Sequence, residues 1–146
     1  MNASDAEAEV GALYDNALEA IRSKDLERLM ALYSTDVVYF DVVPPLRFAG
    51  SGALRDRFTQ WFAGFEGPVT VDSRDMSISV SGDLAFVHWF NRVGGTLRNG
   101  RTVGSWVRVT SCCRRMAGEW TITHEHVSLP VDMASGSAVI DLVPQE

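Results

Sequence analysis

Cysteine is nearly absent from this chain: its 146 residues hold two, Cys112 and Cys113, and they are adjacent. Neighbours on a strand point to opposite faces, so a bridge between the two would be strained. No disulfide framework is available, and a reducing compartment fits. Basic residues are scarce as well. Lys and Arg total 13 against 19 Asp and Glu, a formal net charge of −6, which lacks the positive footprint that phosphate backbones require; nucleic acid is not an expected partner. No apolar run is long enough to cross a bilayer. The opening "MNASDAEAEVGALYD" has no basic stretch leading into an apolar one, as a secretory signal would. The expectation is a soluble, cytoplasmic protein without a membrane partner. Repeats, low-complexity tracts and linkers are missing as far as "MASGS" at 133–137. What is present, 46% hydrophobic and 22% charged residues, suits one ordinary globular domain, read as residues 1–131 followed by a tail over 132–146.

The first half of the chain carries helical spacing. Ser4 followed by Glu7 reads as a capping box, and Val10, Leu13, Tyr14, Ala17, Leu18 and Ile21 then recur on one face. Asp25 can cap a short helix through "LERLMALY", after which "TDVVYFDVV" turns to β-branched and aromatic residues until Pro44-Pro45. "LRFAG" reads as a short return strand. Ser51 opens a third helix, with Leu54, Phe58, Trp61, Phe62 and Phe65 as an apolar stripe. From Gly67 the pattern becomes strands separated by turns at "SGD" (81–83), "RNGR" (98–101) and "MAGE" (116–119). Asn99-Gly100 has the signature of a two-residue hairpin turn with positive φ at both positions. Helices first and a four-strand meander afterwards predict an α+β domain in which an antiparallel sheet covers the helices.

Strand alternation then predicts which side chains face the core. In the last long strand Trp120, Ile122, His124 and His126 share a face, and the large apolar pair assigns that face, histidines included, to the inside. Phe86, His88, Phe90 and Arg92 on one strand, and Arg108 and Thr110 on the next, are read as inward too. Val87, Trp89, Val107 and Val109 would then lie on a convex face, where a second copy of the chain would cover them in a homodimer.

"YDNALEAIRSKDLERLMALYSTDVVYFD" and "GEWTITHEHVSLP" resemble the SnoaL-like and ketosteroid isomerase-related branch of the nuclear transport factor 2-like superfamily. The second stretch also resembles the end of the association domain of calcium/calmodulin-dependent protein kinase II. The resemblance spans most of residues 4 to 130 and implies a cone-shaped, cystatin-like α+β fold. It also implies an aspartate base at the end of the first strand, a position that falls on Asp41. The isomerase oxyanion donors are not matched: the tyrosine position falls on Ala17, with Tyr14 one turn earlier, and the acid position falls near Thr110. Classical steroid isomerisation is therefore not expected.

With that strand placed beside the last one, Asp41 and His126 form a candidate acid/base pair, the carboxylate orienting the imidazole. The lining expected around a ligand is Tyr14, Tyr39, Phe58, Trp61, Phe62, Phe86, His88, Phe90, Arg108, Thr110 and His124. His124, His126 and Asp41 could also be read as metal ligands, but an alternating pair on a strand is a weak pattern, and no metal is expected. Each histidine could equally be a packed rim residue. The leading expectation is a small-molecule pocket protein that isomerises, cyclises or dehydrates an apolar, carbonyl-bearing ligand by proton transfer and without a cofactor. The alternative is a non-catalytic association or ligand-sensing domain whose function is dimerisation.

Overall fold

The computed structural model describes residues 2–146. Helix α1 (Ala3–Arg22) is capped two residues earlier than the Ser4 box predicts. Its N-cap is Asn2, whose side chain accepts the Asp5 amide hydrogen at 2.9 Å. Val10, Leu13, Tyr14, Ala17 and Leu18 are buried on one face, as the spacing predicts. Asp25 caps α2 (Leu26–Met30) by accepting from the Arg28 amide at 3.1 Å. Strand β1 (Tyr33–Phe40) is followed by the cis Pro44-Pro45 bond, the return strand β2 (Phe48–Ala49) and α3 (Ser51–Ala63). Leu54, Phe58 and Phe62 of α3 are buried, while Phe65 belongs to the next strand.

Four long strands follow: β3 (Phe65–Ser81), β4 (Leu84–Leu97), β5 (Thr102–Met116) and β6 (Glu119–Ser128). They form an antiparallel meander, and β1 joins its β6 edge in parallel, so the six-stranded sheet is mixed, in the order β2-β1-β6-β5-β4-β3. A small hairpin, β7 (Val131–Asp132) with β8 (Ser137–Ala138), leads into the last residues. The turn with positive φ at two successive positions is Ala117-Gly118, not Asn99-Gly100. At the latter only Gly100 has positive φ, and the Leu97 amide bonds to the Arg101 carbonyl across a three-residue loop.

The sheet curls around the helices. The curl is tight at Gly94, where a Cβ would stand 2.1 Å from the Val103 carbonyl oxygen, so only glycine permits that approach of β4 to β5. Three side-chain ties fasten α1 and the turn after it across the concave face. Trp120 Nε1 donates to Glu9 at 3.0 Å, Arg22 donates to the Val71 carbonyl at 2.9 and 3.1 Å, and Lys24 Nζ donates to the Phe65 carbonyl at 3.0 Å.

One feature of the register reverses the expected orientation of the sheet. Between the Cys112–His124 and Cys113–Ile122 pairs, β6 holds one extra residue, Thr123, in a bulge. Trp120 and Ile122 face the core as predicted, but beyond the bulge the alternation is inverted, and Glu125 and Val127 face inward in place of the histidines. The pairing carries this face across the sheet: Glu125 lies opposite Ser111, and Ser111 opposite Val87. Val87, Trp89, Val107 and Val109 do share a face, as predicted, but it is the concave one. Phe86, His88, Phe90, Arg92, Arg108, Thr110, His124 and His126 occupy the outer face. Their inward placement is corrected.

Candidate active site

A cavity of about 310 Å³ lies between α1, α3 and the concave face of the sheet, with mostly apolar walls. Of the residues expected to line it, Tyr14, Tyr39, Phe58, Trp61 and Asp41 do so. Phe62 packs in the core behind Phe58, their rings stacked with centroids 6.4 Å apart. Phe86, His88, Phe90, Arg108, Thr110, His124 and His126 are absent from the wall: the bulge turns His124 and His126 outward, and the register sets the β4 and β5 positions on the same outer face.

The residue that sequence reasoning missed is Glu125, which unbroken alternation would place on the face opposite the two histidines. It is 8% exposed and lines the cavity. Tyr33 donates a hydrogen bond to its Oε2 at 3.0 Å, and Tyr39 is its register partner on the parallel strand β1. Burial pushes the Glu125 carboxyl up from its ordinary value of 4.5 to about 7. The Ser111, Tyr33 and Tyr39 hydroxyls hold it back, and the neighbouring charge of Asp41 adds to the rise. Burial also raises the Tyr14, Tyr33 and Tyr39 hydroxyls well above their usual range, so all three remain protonated donors. Tyr14 donates to Ser111 Oγ at 2.6 Å, which sets the Ser111 hydroxyl between Glu125 and the His124 carbonyl, 3.3 Å away. Its ring meets Trp89 edge-on at 5.2 Å.

Asp41 stands just past the end of β1. Its Oδ2 accepts from Arg57 Nε of α3 at 2.8 Å, and its Oδ1 accepts from the Val42 amide at 2.7 Å. The two side chains are only 10% and 16% exposed, so a largely buried ion pair forms one wall of the cavity. Asp41 and His126 are not brought together. His126 is exposed on the outer face, where its ring lies edge-on to Phe40 at 5.2 Å. His124 packs against the same ring at 4.9 Å, and its Nδ1 lies 2.6 Å from the Val38 carbonyl oxygen. Among the described residues no group of three His, Cys, Asp or Glu side chains is placed to hold a metal ion. The tail contributes to the cavity through Ile140, held in place by bonds from the Val139 amide to the Pro130 carbonyl and from Arg74 to the Pro144 carbonyl.

This arrangement can hold an apolar molecule and exchange a proton with it. Glu125 is the group poised to do so, and the tyrosine hydroxyls can supply hydrogen bonds to an oxygen.

Comparison with known proteins gives a consistent picture. The family model of the SnoaL-like domain matches residues 10–132. A nuclear transport factor 2-like protein of unknown function from Pseudomonas putida KT2440 is 32% identical, with 97% of this chain and 99% of that one covered and a TM-score of 0.90. A ketosteroid isomerase-like protein from Erwinia carotovora atroseptica shares the fold at 20% identity, over 88% of this chain and 97% of that one, with a TM-score of 0.74. So does the association domain of C. elegans CaMKII, at 20% identity, 86% and 96% coverage and a TM-score of 0.68. No curated protein matches the chain.

Proposed function

Because the chain belongs to the SnoaL-like domain family, we propose that it is a small-molecule enzyme acting by proton transfer on an apolar, carbonyl-bearing ligand, with Glu125 as the acid/base group. The observation that carries this reading is a carboxyl group buried in a ligand-sized cavity and surrounded by tyrosine hydroxyls. A carboxyl that titrates at about 7 is present in both forms at neutral pH, which suits a group that must take a proton and return it. As carboxylate, Glu125 removes a proton from the carbon beside the ligand's carbonyl, and the electron pair moves onto the carbonyl oxygen. A tyrosine hydroxyl stabilises that oxyanion. Once protonated, Glu125 gives the proton to a second carbon in an isomerisation, or to a departing hydroxyl in a dehydration. None of these steps calls for a cofactor. The base expected at Asp41 becomes, in this reading, a wall charge paired with Arg57, whose field raises the affinity of Glu125 for its proton. His126 has no part in the transfer.

Deuterium exchange tests this without knowledge of the natural substrate. Apolar cyclic ketones such as 1-indanone and 2-tetralone, incubated with the protein in D2O, should exchange their α-hydrogens faster than in buffer, and Glu125→Gln should reduce the enzymatic rate by about 10²-fold or more. Exchange that survives Glu125→Gln would remove the carboxyl from the mechanism.

The outer face supports a second property, homodimerisation. Leu84 is 53% and Phe86 48% exposed there, on the same strand face as the partly exposed Phe90. An apolar strip of this kind on an open sheet face suits self-association about a two-fold axis. Sedimentation of the wild type and of Phe86→Glu should give a dimer and a weakened dimer. If the protein is a dimer and no ketone exchanges, the non-catalytic association reading replaces the enzyme.

A further inference from the structure

Trp89 and Asn91 stand two residues apart on the concave face of β4, and both line the cavity. They are 5% and 6% exposed. Trp89 Nε1 and Asn91 Oδ1 are buried with no hydrogen-bond partner among the described residues. Buried polar atoms are nearly always paired, so two orphans on one cavity wall require an explanation. The remaining atom of this kind, Ser34 Oγ, belongs to a residue outside the cavity lining. Asn91 also stands apart from the proton-transfer group, with Trp89 between the two. Glu125 is on β6, two strands away, and Asn91 lies four residues further along β4 than Val87, which shares the level of Glu125. With strands about 4.8 Å apart and a rise of about 3.4 Å per residue, the backbones at Glu125 and Asn91 are separated by roughly 16 Å.

We infer that Trp89 and Asn91 form a second polar anchor, specific for a hydroxyl group, so that the ligand carries two oxygen functions separated by an apolar body. One function sits at Glu125 and the tyrosines. The other accepts from the Trp89 indole N–H and donates to the Asn91 amide oxygen. Only a group that is both acceptor and donor satisfies both orphans, and a hydroxyl is the simplest. The ligand class is then a rigid hydroxylated ring ketone, or its enol, rather than a plain hydrocarbon ketone. The inference rests on the cavity being the ligand site, and it adds which end of the cavity selects the ligand.

Two naphthols provide the test, since their phenolic oxygen imitates an enol and their fluorescence reports binding. 2,6-Dihydroxynaphthalene should bind the wild-type protein about two- to tenfold more tightly than 2-naphthol, the effect of one net hydrogen bond. Asn91→Leu and Trp89→Phe should each reduce that preference towards unity. Glu125→Gln should weaken both probes and leave the preference intact. Thermal melting supplies an independent reading: ligand-free Asn91→Leu should melt no lower than the wild type, because an apolar side chain of similar size replaces an unpaired polar one. The inference is overturned by equal wild-type affinities, by a preference that survives both β4 substitutions, or by a marked drop in melting temperature that exposes an internal partner for Asn91. Failure of both probes to bind at all would refute the cavity as a ligand site and this inference with it. Loss of the preference in Glu125→Gln alone would leave the cavity reading standing and place the selecting group at the other end.

Discussion

Replacing Glu125 by Gln should stabilise the protein, and should do so only above a definite pH. In the unfolded chain this carboxyl titrates at its ordinary value of 4.5, and in the folded protein burial raises it to about 7. The native state therefore holds the proton more tightly than the unfolded state. The sign of the linkage follows: the stability contributed by the protonated group is fully present below pH 4.5, declines as the pH rises, and is lost once the pH has passed about 7. A rise of this size corresponds to about 3 kcal/mol, at about 1.36 kcal/mol for each pH unit. Gln keeps the shape and a hydrogen-bond acceptor for Tyr33 but has no charge to desolvate. The variant should match the wild type near pH 4.5 and exceed it by up to about 3 kcal/mol at pH 8, some 6–12 °C in Tm for a domain of this size. Urea or thermal unfolding of both proteins across that interval, compared at each pH, isolates Glu125 from the other titrating groups. A difference that is independent of pH, or that grows towards acid, would mean that the folded protein does not raise the Glu125 carboxyl.

Other substitutions test the surrounding placements. Asp41→Asn leaves the Arg57 guanidinium largely buried without its counter-charge, so it should cost about 1–3 kcal/mol by denaturant titration. It should also lower the pH at which Glu125 titrates, because the Asp41 charge helps to raise it. His126→Ala, at an exposed outer position, should leave naphthol binding and melting nearly unchanged. His124→Ala should cost about 1 kcal/mol through the lost contact to the Val38 carbonyl, again without effect on binding. Removal of residues 139–146 takes Ile140 from the cavity wall, and should weaken 2-naphthol severalfold in a fluorescence titration while the core melts at nearly the same temperature.

Much of the fold was legible because it depends on local pattern. The apolar face of α1, the Asp25 cap, the change from helical to strand spacing after α2 and the meander with its turns all follow from residue spacing. The grouping of side chains across the sheet was legible too. Phe86, His88, Thr110, His124 and His126 do share one face, and Val87, Trp89, Val107 and Val109 the other. What the sequence did not reveal was which face is concave. That assignment was carried from Trp120 and Ile122 along β6 on the assumption of unbroken alternation. A single extra residue at Thr123 inverted it for every position beyond. A bulge of this kind leaves no mark in local spacing. The contrary signal lay on β4 and β5, where Val87 and Trp89 stand opposite Ser111 and Val109, giving a mostly apolar surface better suited to a core than to solvent. Glu125 stayed hidden for the same reason: a lone charged residue between two histidines on a strand looks solvated until the register is known. Tyr14 and Tyr39 were found because helix spacing and the β1 alternation are undisturbed around them.

The proposed proton transfer requires that Glu125, a cavity carboxyl, take up and release a proton near neutral pH. Its carboxyl carbon can be followed directly by ¹³C NMR in protein labelled at glutamate, the signal being identified by its absence from Glu125→Gln. The midpoint should lie at about 7 and be displaced when 2-naphthol occupies the cavity. A midpoint near the ordinary 4.5, unmoved by 2-naphthol, would contradict the proposed transfer.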